Sequence, residues 1–367
     1  MNENILIFQK YLQIFQYLGV FPFKFRENQI ILDYLKLFFS FLLIIGFSLL
    51  FSLYYLNIDE FIFTETLLKQ ILFSNATILL IVTYFLHLIF LIFNRVTINF
   101  AIQLIFNISN SIESSINYRL NIGKSWILYT ILFLLFITCA PFNYMSGFWN
   151  RTYPFYSITL AFNNCIIVLL IELFFTYIFI LIKNINTLLT QQINDINRLE
   201  NLLNYFGNII TILKSIEQSF SLILLVLLGE SFSLVTLNLF FTLRISFRGI
   251  EYFAATLWTA IFAFIAWHIA YTCQSVLYQC HEFDRILRRK VFEDNVGHIA
   301  NNSKVYLHFT NCRIIKFSTF NFIDINYKML SSMLAAITTY LVILLQMDDE
   351  HAQQLHEIAN NYTNNTQ

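Results

Sequence analysis

The last apolar segment of the chain carries the residues whose types and spacing point most clearly to chemistry. It reads TTYLVILLQMDDE, and four of its side chains share one helix face because they are spaced i, i+4, i+7 and i+8: Thr339, Ile343, Gln346 and Met347. A Gln amide can replace part of an ion's hydration shell, and apolar side chains around an axis can close a pore by dewetting. The spacing therefore predicts a helix face able to line and gate an ion path.

Three acidic residues follow this segment directly. Asp348, Asp349 and Glu350 are succeeded by no Lys or Arg. At a pore mouth such carboxylates raise the local cation concentration, whereas at an ordinary helix end they are simply solvated, and both interpretations are open. Tyr340 lies off the shared face, so it is predicted to pack between subunits.

Three ionisable residues interrupt other apolar runs, namely Glu172, Glu230 and His268. Charged groups are costly in lipid, so these side chains should face the protein interior. By residue count Glu172 and His268 lie at a similar depth and could pair directly. Either a structural polar network or a part in gating or ion passage would explain the set.

Sequence motifs for enzymatic chemistry are absent. The chain has no HExxH, GxSxG or glycine-rich phosphate loop, and its five Cys form no CxxC. We therefore expect no catalytic site, no metal site and no cofactor.

The elements that position these residues follow from composition. Hydrophobic residues make up 57% and charged residues 12% of the chain, whereas soluble domains carry about 25% charge. Crossing a bilayer as a helix takes about 20 apolar residues. Seven runs qualify: 37–56, 71–93, 125–146, 157–182, 219–243, 252–273 and 329–347. The predicted fold is an all-α integral membrane protein with seven transmembrane helices.

Orientation follows from the basic residues, which concentrate on cytoplasmic loops. All but four of the 22 Lys and Arg fall on the side of the N-terminus, the exceptions being Lys69, Arg151, Arg244 and Arg248. The N-terminus is predicted to be cytoplasmic and the C-terminus extracellular. This arrangement is the reverse of a G-protein-coupled receptor.

Amphipathic segments between the spans predict a cytoplasmic anchor bundle. Residues 183–218 are expected to form two helices with a break near Gly207, and residues 274–295 should continue the sixth span. The predicted organisation is a cytoplasmic segment 1–36, a membrane unit 37–273 with inner extensions 183–218, anchor helices 274–328, a pore helix 329–347 and an extracellular tail 348–367.

The end of the chain resembles a known family. Thr339-Tyr340, five apolar residues and Gln346 resemble the C-terminal signature of insect gustatory receptors, and GVFPF from Gly19 is similar to that family's N-terminal segment. Met347 stands where the family usually has Phe. Leu341 stands where its sugar-receptor branch tends to have Glu, so the ligand class stays open.

The resemblance implies a homotetrameric ligand-gated cation channel of the plasma membrane in sensory neurons, alone or with related receptors. The seventh helices would line the pore for cations, the cytoplasmic helices would anchor the subunits, and a tastant would bind in an outer pocket. The expected partners are tastant, cations and lipid bilayer, with no nucleic acid. Candidate pocket residues in the outer halves are Asn143, Asn164, Asn238, Trp258 and Thr259.

Other mechanisms remain as alternatives. A receptor signalling through G proteins conflicts with the predicted orientation, and a transporter would be expected to show helices broken by Gly or Pro at mid-membrane. The chain has only eight Gly and three Pro. A non-channel member of the family is a further alternative that the sequence leaves open.

Overall fold

The structure is a computed structural model that describes residues 3–26, 29–56, 67–112, 153–191, 196–244, 250–294, 297–310, 316–320 and 322–364. Within these residues the helices are α1 (Glu3–Tyr17), α2 (Tyr34–Leu56), α3 (Leu67–Phe93), α4 (Arg95–Ile112), α5 (Tyr153–Thr190), α6 (Ile196–Arg244), α7 (Ile250–Glu293), α8 (Ser303–Thr310) and α9 (Tyr327–Asn364). The predicted third span, 125–146, lies outside the described residues, as does Asn143 within it.

Two short antiparallel hairpins correct the expectation of an all-α chain. Strand β1 (Phe23–Arg26) pairs with β2 (Gln29–Leu32), and β3 (Ser318–Thr319) pairs with β4 (Ile323–Asp324). Both hairpins are too short to leave a period-two pattern in the sequence. The architecture is otherwise helical, as predicted.

Several helices are suited to a membrane by length and composition. Counted over the described residues, four qualify: Asn164–Thr190, Ile196–Phe240, Thr256–Glu293 and Tyr327–Met347. A bent pair in α3 and α4 would make a fifth if it formed one span. The predicted count of seven therefore stays a prediction.

The long helices extend beyond any bilayer. α6 has 49 residues and spans about 74 Å at 1.5 Å per residue, against a hydrocarbon core of about 30 Å. α7 likewise runs unbroken from Ile250 to Glu293, as predicted for the sixth span and its extension.

The predicted break near Gly207 is wrong, because α6 continues through it. A glycine inside a helix costs about 1 kcal/mol relative to alanine. Here Leu203, Phe206 and Ile209 are buried on either side of Gly207. Their packing holds the helix together across the glycine.

A core of α5, α6 and α7 organises the bundle. His268 on α7 meets Glu172 on α5, and further along both helices the Gln279 carbonyl oxygen accepts a hydrogen bond from Asn186. Both residue numbers rise together, so α5 and α7 run in the same direction. α1 packs on α5 through Phe8, which is fully buried.

The connection after α3 folds into a helix that was not predicted. α4 bends away from α3 by 69° and packs on α6. Its buried side includes Ile98, Ile102 and Ile105, spaced for one helix face.

The GVFPF segment leads from α1 into the first hairpin and packs against the membrane helices. Gly19 has a φ of 76°, a conformation that favours glycine, and its carbonyl oxygen accepts hydrogen bonds from Ser40 and Tyr84. Nε2 of His87 lies 3.0 Å from the Val20 carbonyl oxygen. The segment is therefore tied to both α2 and α3.

Candidate functional site

The first turn of the last helix is capped and partly buried. Asn326 accepts a hydrogen bond from the Met329 backbone N–H at 2.9 Å, which is the geometry of a helix N-cap. The hairpin β3–β4 comes immediately before this cap. Met329 is itself buried, so the first turn of α9 is fixed in the bundle.

Beyond its first turn α9 is the least buried of the four membrane-suited helices of the described residues. Only 11% of its apolar window is buried within the chain, against 78%, 67% and 56% for the windows in α5, α6 and α7. It contacts α6 and α7 along one side, where Ile337 is buried. Most of the helix surface is thus left for contacts outside the chain.

The four residues predicted to share a face are exposed on α9: Thr339, Ile343, Gln346 and Met347. The hydroxyl groups of Thr338 and Thr339 both donate to the Ala335 carbonyl oxygen of the preceding turn, at 2.7 and 3.0 Å. These bonds satisfy the hydroxyl groups inside the helix. The exposed face therefore presents threonine methyl groups, the apolar side chains of Ile343 and Met347, and the amide of Gln346.

Tyr340 packs against its own chain on one side and is exposed on the other. Its ring contacts Phe232 of α6 edge-on, with centroids 5.7 Å apart, while 54% of the side chain surface stays exposed. Packing within the subunit was not the contact predicted for it. The predicted contact of Tyr340 with a neighbouring subunit stays a prediction.

The acidic cluster lies on the helix itself. α9 continues from Met347 through Asp348, Asp349 and Glu350 to Asn364, whereas the predicted pore helix ended at Met347. Gln, Glu, Ala and Leu in this extension favour helix, and no Gly or Pro interrupts it. The side chains of the three acids lie outside what the structure describes.

Glu230 is the centre of a buried polar cluster that joins three helices. It is 1% exposed, and its Oε2 accepts a hydrogen bond from Thr83 of α3 at 2.8 Å. Its Oε1 accepts a second bond from the amide of Asn164 on α5. We call Glu230, Thr83 and Asn164 the Glu230 cluster. Satisfying a buried carboxyl group from two other helices fixes their relative positions.

Glu172 and His268 form a second polar contact, between α5 and α7. Nε2 of His268 lies 3.5 Å from Oε1 of Glu172, and both side chains are buried. The His268 ring also stacks on Phe264 of the same helix. The three ionisable residues found in the sequence thus split into two separate sites.

Thr83 was missed by sequence reasoning. It is one hydroxyl in a long apolar helix, and nothing in the sequence distinguishes it from the other threonines. Only the position of Glu230 across the helix interface gives Thr83 a role.

Metal binding finds no support in the described part of the chain. No group of three or more His, Cys, Asp or Glu side chains is placed there to hold an ion. Cys273 and Cys280 are buried as thiols on α7.

Comparison with known proteins places this arrangement in a family. The profile described as 7tm chemosensory receptor matches residues 9–351, nearly the whole chain. The chain belongs to this chemosensory receptor family. The resemblance seen in the sequence is thereby confirmed at the family level, and the receptor is a multi-pass membrane protein rather than an enzyme.

Solved structures show the same fold. The insect olfactory receptor OR5 from Machilis hrabei in complex with eugenol matches with a TM-score of 0.64 and 13% identity, over 94% of this receptor and 100% of that chain. The structure of the same receptor described without eugenol gives a TM-score of 0.64 and 14% identity, over 92% and 97%. No curated protein sequence matches the receptor.

The structure gives the described residues of the predicted ligand pocket separate local contacts. Asn164 belongs to the Glu230 cluster, and Trp258 of α7 stacks on Phe262 with centroids 5.5 Å apart. The Asn238 carbonyl oxygen accepts a hydrogen bond from Thr242 one turn later. Thr259 is half-buried on α7 beside Trp258. Their part in ligand binding stays a prediction.

Proposed function

We propose that the receptor is a gustatory ligand-gated cation channel of the plasma membrane. Four copies would assemble around an axis, with α9 of each copy lining a pore that does not select between cations. A tastant would bind between the outer halves of the membrane helices and open the pore. Family membership and the fold shared with an olfactory receptor support this proposal.

The observation that carries the proposal is the exposed surface of α9. A helix that faced only lipid would be apolar all round that surface, because unsatisfied polar groups are costly in hydrocarbon. The exposed side of α9 instead carries Ser331, Ser332 and Gln346. Small and polar residues suit a surface that meets other helices or water. Assembly of several copies through α9 would supply both.

Gating is assigned to the outer half of the membrane-suited part of α9, Tyr327–Met347. Gln346 and Met347 would form the narrowest ring, with Ile343 and Thr339 one and two turns below it. A ring of amides can coordinate a cation in part, and apolar rings exclude water when they close. Asp348, Asp349 and Glu350 would follow at the mouth and concentrate cations there.

The ligand is proposed to be a small organic molecule. The similar olfactory receptor is described in complex with eugenol, a compact molecule of this kind. Contacts are proposed from Asn143, Asn164, Asn238, Trp258 and Thr259, which combine amides, a hydroxyl and an aromatic ring.

The test is current recording from cells that express this receptor alone. A panel of small organic tastants should evoke a cation current, and Gln346→Ala or Met347→Ala should raise the basal current or change selectivity. Leu334→Ala is the matched control, since Leu334 is also exposed on α9 but lies about 120° around the helix axis from Gln346. Surface tetramers that never conduct, with or without these changes, would refute the channel.

A further inference from the structure

A carboxylate on α6 holds the segment from which the last helix starts. Oε1 of Glu217 accepts two hydrogen bonds from Ser318, one from the backbone N–H at 2.8 Å and one from the hydroxyl at 2.9 Å. Ser318 is the first residue of β3 and is buried. We call this pair of bonds the Glu217 clamp.

The clamped hairpin is closed by two further bonds and packs on α5. The Ile325 backbone N–H donates to the Phe317 carbonyl oxygen at 2.8 Å, and Lys316 bonds the Asp324 carboxylate at 3.0 Å. Phe317 is buried and packs edge-on against Phe175 of α5. A displacement of this hairpin would therefore move it as one unit.

The hairpin passes directly into α9. Only Ile325 and Asn326 separate β4 from the first residue of the helix, and Asn326 caps it. The direction and height of α9 are thus set where Glu217 holds Ser318. The weak burial of α9 above this point leaves few other contacts to set them.

α6 touches α9 a second time near the Glu230 cluster. Phe232 of α6 contacts Tyr340, and Glu230 lies two residues before it on the side that faces α3 and α5. From Glu217 to Phe232 the helix rises about 22 Å at 1.5 Å per residue. One continuous helix therefore carries the buried cluster and both attachments of α9.

We infer that Glu217 is the positioning residue that fixes the inner end of α9 to α6, so that a shift of α6 moves the last helix through the clamp. This rests on the proposed function, because only a channel gives the movement of α9 a consequence. Without the clamp α9 would keep its side contacts with α6 and α7, including those of Ile337 and Tyr340, but the hairpin at its inner end would lose its bonds to α6. Charge-assisted bonds to a carboxylate are among the stronger hydrogen bonds in proteins, so their loss should be measurable.

The experiment compares three variants. Glu217→Ala removes the oxygen that accepts both bonds from Ser318, and Glu217→Gln keeps a carbonyl oxygen at the same place. Glu200→Ala is the matched control, because Glu200 is also on α6 and binds Lys304 and Asn302 at 2.8 and 2.9 Å, near α8 and away from α9. The measurements are basal current divided by surface receptor number, and hydrogen–deuterium exchange of the purified receptor.

Glu217→Ala should change the basal current per surface receptor about tenfold, while Glu217→Gln and Glu200→Ala change it less than twofold. Hydrogen–deuterium exchange of the Glu217→Ala receptor should be faster both in the hairpin and in the first turns of α9. Faster exchange with an unchanged current in a conducting receptor would overturn the inference. If no variant and no wild-type receptor conducts, the proposed function fails. Hydrogen–deuterium exchange alone then tests the positioning role of Glu217. Faster exchange confined to the hairpin would refute that role.

Discussion

Removing the Thr83 hydroxyl tests whether the Glu230 cluster holds three helices together. Thr83→Val keeps the shape of the side chain and deletes the 2.8 Å bond to Oε2 of Glu230. Hydrogen bonds between membrane helices average about 0.6 kcal/mol, and bonds to charged groups reach about 1.5–3 kcal/mol. We expect the free energy of unfolding to fall by about 1.5 kcal/mol, the lower end of the range for charged groups, because the acceptor is a buried carboxyl group.

The expected loss converts to a shift in melting temperature. Unfolding entropy of about 2.1 cal/mol/K per residue gives roughly 0.8 kcal/mol/K for 367 residues, so Tm should fall by about 2 °C. The assay is the fraction of detergent-solubilised receptor that remains monodisperse after heating. Thr236→Val is the matched control, since that buried hydroxyl bonds only its own helix, at the Phe232 carbonyl oxygen.

A double-mutant cycle isolates the interaction. In a Glu230→Leu background the partner of Thr83 is gone, so Thr83→Val should then cost nothing. If Thr83→Val and Thr236→Val lower Tm equally, or if the cost of Thr83→Val persists without Glu230, the cluster does not stabilise the bundle in the way described.

Three further outcomes are expected. Changing Asp348, Asp349 and Glu350 together to Asn, Asn and Gln should lower single-channel conductance or cation preference, and unchanged conductance would make them an ordinary solvated helix end. Phe206→Ala should destabilise the receptor by about 3–5 kcal/mol, because the Phe206 ring stacks on buried Phe283 with centroids 3.8 Å apart. Phe206→Leu should cost less, and heating assays check both. An epitope added after the last residue should be labelled on intact cells, and labelling only after permeabilisation would reverse the predicted orientation.

Much of the fold could be predicted because membrane helices leave a strong one-dimensional signal. The predicted spans 157–182, 219–243 and 252–273 fall within α5, α6 and α7, since long apolar runs have few other stable conformations in lipid. α4 and the two hairpins left no such signal. α4 is amphipathic rather than apolar throughout, with Ile98, Ile102 and Ile105 on the face that is buried in the bundle, and the hairpins are too short to leave a pattern.

The sequence identified individual residues of the candidate site, but for most of them it did not identify the residues that they contact. The sequence showed that Glu172 and His268 could meet, and their contact distance is 3.5 Å. It could not show that Glu230 meets Thr83 and Asn164, because those partners lie 147 and 66 positions away along the chain. The Glu217 clamp is hidden for the same reason.

By itself the sequence determined that this is a helical membrane protein with a patterned last helix, because hydropathy and helical spacing are properties of neighbouring residues. Only the tertiary structure decided that α9 is little buried, that it follows directly from the β3–β4 hairpin, and that α6 contacts the hairpin at Ser318 and α9 at Tyr340. Those facts depend on which distant surfaces pack together. Packing is settled by the shapes of all the helices at once, and no local pattern records it.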